Sequence, residues 1–178
     1  MSPQYLNLVP FASHCPDIAA GETLGLIMRP DSPILPGGRF VFLEHYCGNP
    51  NCDCRRVRLE VCSPDAPGKV LATIVWGWEF VEYYAQWTLD LESAEWIVAG
   101  YLDPDGAQSD YAEAFADFVR HAVVHRDDWD ATFARHYGMF KDRLGPAGPD
   151  KRKAGAPCLA GRRIRGQSGP EHCGGGLP

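Results

Sequence analysis

The sequence predicts an α+β domain in which an antiparallel β-meander packs against a C-terminal helical hairpin. Three observations carry that expectation. Segments with strand-like alternation precede Asp110, and apolar residues at helical spacing follow it. The apolar share, 45% of 178 residues, suits a soluble globule with a packed core.

Residues 1–38 are rich in Pro and Gly, and Leu24–Met28 is the one short strand expected there. Leu35-Pro-Gly-Gly38 is turn chemistry ahead of a strong strand over Arg39–Tyr46. Arg56–Cys62 alternates Val57, Leu59 and Val61 with Arg56, Arg58 and Glu60, as in a half-buried antiparallel strand. Asp65-Ala-Pro-Gly68 turns the chain into a strand over Lys69–Trp76. Glu79–Tyr84 fits either a strand or a helical turn, and Glu95–Tyr101 is expected as a further strand.

The period then changes. Asp110-Tyr-Ala-Glu113 has the form of a capping box. Tyr111, Phe115, Phe118, Val119 and Ala122 form one helical stripe. A second helix starts near Asp127 or Asp128, carries Trp129, Phe133, His136 and Phe140 on its apolar face, and stops at Gly145-Pro146. The expected domain is therefore 1–144, with 145–178 a basic, Gly- and Pro-rich disordered tail.

Charge is uneven. The net charge is −6, yet Lys151, Arg152, Lys153, Arg162, Arg163 and Arg165 outnumber Asp150 and Glu171 after Gly145, which leaves the body near −10. Phosphate contacts need Lys and Arg, so an acidic body argues against nucleic-acid binding. No segment approaches the roughly 18 apolar residues of a membrane span, and the N-terminus lacks signal-peptide character. A cytoplasmic protein is expected, and in that compartment clustered thiols favour metal over disulfides. The odd cysteine count, seven, agrees.

The chemistry concentrates in Phe42-Leu-Glu-His-Tyr-Cys-Gly-Asn-Pro-Asn-Cys-Asp-Cys54. Cys47, Cys52 and Cys54 have C-x4-C-x-C spacing on a turn rich in Asn and Asp, an unfavourable place for purely apolar thiols. Zn2+ prefers tetrahedral thiolate and imidazole ligands, so the trio reads as a structural zinc site, with a kink expected at Asp53. The fourth ligand is open among His45, His136 and Cys62. His45 is nearest, His136 is a polar residue on an apolar helix face that needs a partner, and Cys62 also fits a buried thiol at a strand end. His121 and His125 lie four apart without the intervening Glu of a zincin helix, and Cys15 with His14 has no partners in sequence. No phosphate loop, no G-x-S-x-G and no acid–base carboxylate pair is present, so no catalytic residue is assigned. Action through a protein partner is the expected function.

The Phe42–Val57 stretch, with Ile74-Val-Trp-Gly-Trp-Glu79, Leu102-Asp-Pro-Asp-Gly-Ala-Gln-Ser109 and Arg135-His-Tyr-Gly-Met-Phe-Lys141, resembles a group of bacterial proteins that carry a C-terminal SEC-C metal-binding motif. The resemblance implies metal binding without an assigned activity, and it raises His136 over His45 as fourth ligand. The motif has the form P-C-x-C-G-S-G. Here only Pro157-Cys158 and Cys173 match it, which implies that a second metal site is absent.

Overall fold

The computed structural model describes residues 7–125 and 128–145. The tail beyond Gly145 lies outside the described residues. Six strands form one antiparallel sheet: β1 (Leu8–Pro10), β2 (Leu24–Met28), β3 (Gly38–Cys47), β4 (Arg56–Ser63), β5 (Ala66–Gly77) and β6 (Tyr101–Leu102). The order is β1-β3-β4-β5-β6, and β2 pairs with the first half of β3. Six helices accompany them: α1 (Phe11–His14), α2 (Pro16–Glu22), α3 (Val81–Ala85), α4 (Leu91–Ala99), α5 (Ala112–His125) and α6 (Asp128–Arg143). The expected α+β architecture is the one observed.

Strand side chains alternate between faces. One face presents Phe42, Leu59 and Ile74, which pack with Phe115 and Val119 of α5 and Phe133 and Phe140 of α6 in the main core. Val75 and Tyr101 face the other way and form a second, smaller core with Tyr84, Ala94 and Ile97 of α3 and α4.

Three expectations change. Glu95–Tyr101, expected as a strand, lies mostly in α4, whose first turn is fixed by Asp90 accepting from the Ser93 N–H at 2.7 Å. The aromatic and β-branched run Trp96-Ile-Val98 suggested a strand, but the cap and Gly100, with φ +77°, bound a helix. At the start of α5, Ser109 accepts from the Tyr111 N–H, the helix opens at Ala112, and Tyr111 is 47% exposed rather than on the buried stripe. The Pro-rich N-terminal part also holds β1, α1 and α2, which its weak periodicity did not announce.

Candidate metal centre

Strand β3 ends on the first cysteine. Cys47 pairs with Leu8 of β1, and the next N–H, on Gly48, donates to the Asn7 carbonyl at 2.7 Å. A Cβ on Gly48 would meet Val9 Cγ2 at 2.8 Å, so the close approach requires glycine. Asn49 then reverses the chain. Its side-chain oxygen accepts from the Asn51 N–H at 3.0 Å and its main-chain carbonyl from the Cys52 N–H at 3.1 Å. The left-handed residue is Arg55, with φ +42°, one place after Cys54 and not at Asp53. A non-glycine residue there costs of order 1–3 kcal/mol and persists because its surroundings fix it. Arg55 is held by Asp53 and Glu79, each at 2.9 Å.

This path returns Cys52 and Cys54 to Cys47. The three residues are 3%, 3% and 1% exposed, and their Sγ atoms lie within 4.8 Å of one another. They are the one such group of metal-ligating residues among the described residues. A tetrahedral zinc with Zn–S near 2.3 Å spaces its sulfurs about 3.8 Å apart, so closure needs about 1 Å of movement at most. The donor set fits zinc on its chemistry. The hydrogen bond with Cys47 pushes the Cys54 thiol up, that with Cys52 pulls it down, burial raises it and the charge of Arg56 lowers it, with a net upward shift. Buried thiols this close do not all ionise without a cation among them. Arg56, itself only 8% exposed, adds positive charge beside them.

The loop around the thiols is held by side chains that donate to its carbonyls. Lys141 Nζ donates to Cys47 O at 3.0 Å and Asn49 O at 2.6 Å. The Tyr137 hydroxyl reaches Cys52 O at 3.0 Å, Tyr83 reaches Asp53 O at 2.5 Å, and Tyr84 reaches Arg55 O at 2.6 Å. Burial pushes all three phenols up from their ordinary value, which keeps them as O–H donors. Gly77 makes room for Tyr84, since a Cβ there would lie 2.5 Å from the hydroxyl. The Lys141 ammonium also stands 5.2 Å from the Tyr137 ring centroid, and the Arg55 guanidinium 4.9 Å from that of Tyr83.

The candidate fourth ligands are placed elsewhere. His136 is fully buried, but its Nδ1 lies 2.8 Å from Glu44 Oε2 and its Nε2 3.2 Å from Glu22 Oε2, so the structure does not bring it to the sulfurs. Successive helical residues point about 100° apart, and it is Tyr137, not His136, that faces the loop. His45 Nδ1 lies 3.2 Å from the Leu43 carbonyl, and Nε2 lies 3.8 Å from Glu60. Cys62 is partly exposed near the opposite end of β4. His121 lies near the Asp117 carbonyl on an exposed helix face, and the His125 side chain is outside the described residues. Cys15 is buried with Arg143 donating to its sulfur.

Sequence reasoning missed Tyr83, Tyr84, Tyr137, Lys141 and Glu44. For Glu44 a signal existed: the alternation that turns Phe40, Phe42 and Tyr46 inward also turns Glu44 inward, and a buried carboxylate needs a partner.

No protein-family model, no curated protein and no solved structure matches this chain. Among the described residues, no helix is long and apolar enough to cross a membrane.

Proposed function

We propose that this protein binds a zinc ion through Cys47, Cys52 and Cys54. The ion fastens the connection between β3 and β4, and the protein acts in the cytoplasm through contact with a protein partner. The observation that carries this reading is the burial of three sulfurs within 4.8 Å of one another on a polar turn. The resemblance of Phe42–Val57 to proteins with a SEC-C motif supports metal binding. Phe80, Leu89 and Leu91, exposed at 78%, 61% and 58%, cluster in sequence beside the tyrosines that hold the loop and offer apolar area to a partner.

Metal analysis of the purified full chain tests the site. About one zinc per chain is expected, with loss on Cys52→Ala or Cys54→Ala. Folded protein that is free of zinc and takes up none on addition would overturn the reading.

A second reading has one observation in its favour: three ligands, not four, converge among the described residues. Zinc sites with three protein ligands keep a position for water or substrate. Cobalt-substituted protein separates the two. Visible bands that shift with an added small anion support an open, enzyme-like centre, and bands that stay in place reject it.

A further inference from the structure

The His136 cluster has a composition that a passive core position does not require. The imidazole is fully buried and stacked on Phe11, with ring centroids 4.5 Å apart and planes 15° from parallel. Nδ1 faces both Glu44 oxygens, at 3.1 and 2.8 Å, and Nε2 faces Glu22 at 3.2 Å. Glu44 also accepts from the Tyr46 hydroxyl at 2.6 Å, and Arg135 grips Glu22. A neutral imidazole has one N–H and one lone pair. With a carboxylate at each nitrogen, the neutral ring would set its lone pair against an anion. The imidazolium donates at both ends.

We propose that His136 is held as an imidazolium at neutral pH and works as a proton-operated latch. It joins α2, β3 and α6 and sets the seat of α6, from which Tyr137 and Lys141 reach the carbonyls of Cys52, Cys47 and Asn49. What the latch controls rests on the zinc reading above. The charge on the ring does not. His136 is thus a positioning residue for the cysteine loop: the adjacent residue and one a turn further on make the contacts, and the latch fixes the rotation and rise that they need.

The direction of the pH effect follows from the groups that face the ring. These are Glu22 from α2, Glu44 and Tyr46 from β3, and Arg135 on α6 itself, while α1 contributes the uncharged Phe11. Burial pulls the imidazole down, Glu44 and then Glu22 push it up, Arg135 opposes them, and the net shift is upward. A histidine raised in the folded state contributes fully below its ordinary value, about 6.5, and loses that contribution as pH rises through the raised value. Glu22 is held below its ordinary value, first by Arg135 and then by His136, so its part is lost only as pH falls through that lower value. The latch is therefore closed below the ordinary histidine value, down to the lowered range of Glu22, and opens as pH rises through the raised value of His136.

Two measurements on the full chain test this. Nitrogen NMR of the labelled imidazole at about pH 7 should show both His136 nitrogens protonated, and a single neutral tautomer there overturns the proposal. Zinc transfer to a chromophoric chelator, compared between the native chain and His136→Gln, reads the control. The variant should release metal roughly tenfold faster near pH 6, as for loss of an outer-shell partner, with the ratio approaching one in alkaline solution. A ratio independent of pH overturns the latch. Glu44→Gln should abolish the doubly protonated signature, and its persistence in that variant also counts against the proposal. If the chain takes up no zinc, the metal reading alone fails. NMR still decides the ring charge, and the pH profile of thiol alkylation at the cysteine loop replaces zinc transfer, with the same expected and overturning outcomes.

Discussion

Two buried polar clusters lie along β3, three residues apart in sequence, and they are built in opposite ways. Around Glu44 the partners are titratable side chains, with His136 standing between Glu44 and Glu22 and the Tyr46 hydroxyl donating to Glu44. Around Cys47, Cys52 and Cys54 the partners are mostly neutral donors aimed at main-chain carbonyls. The first cluster fixes where a helix sits. The second fixes the path of a loop and leaves its sulfurs facing each other. The difference teaches that one helix can serve two sites through adjacent residues, His136 and Tyr137, because the helical turn sends them in different directions.

That contrast can be broken by mutation. The largest effect is expected from His136→Ala, which leaves Glu44 as a buried charge without its counter-ion. Removing one partner of a buried pair costs about 3–5 kcal/mol, so denaturant unfolding should show a large loss of stability. Tyr137→Phe should act differently. It removes one hydrogen bond to Cys52 O, worth roughly 1–3 kcal/mol when the carbonyl is left buried, and its stronger signature should be weaker zinc retention in chelator competition. Zinc retention unchanged in Tyr137→Phe would show that the loop does not depend on its donors. The smallest effect is expected at Arg39, whose pair with Asp65 lies on the surface, with side chains 63% and 50% exposed. Arg39→Ala should leave both thermal unfolding and zinc content unchanged, which makes it the control for the other two.

The elements that announce themselves in the sequence are those whose periodicity is set by a single apolar face. Val57, Leu59 and Val61 specify β4, and Phe133 with Phe140 specifies α6, because each segment buries one side against the main core. The Glu95–Tyr101 segment misled because α4 buries only Ser93, Ala94 and Ile97, too few to print a helical stripe on the segment. Its side chains serve a small second core, and Trp96, Ile97 and Val98 carry strand propensity in a helix whose bounds come from Asp90 and Gly100. The cysteines were legible as a cluster through spacing and turn chemistry. The place of His136 was not, since an apolar stripe says that a residue is buried but not which polar group awaits it. Glu44, inward on its strand, was the available clue.

The position of the cysteine turn has a consequence for what an ion there would do. The turn links β3 to β4, two strands at the centre of the sheet, and the ring that a shared cation closes spans only a short stretch of backbone. Cross-links over short spans remove little freedom from an unfolded polymer. Any stabilisation from an ion at this bend would therefore come mainly from its binding to the folded thiol cluster and less from chain entropy. The shape such an ion would hold is that of one corner of the sheet, where the chain passes from β3 to β4.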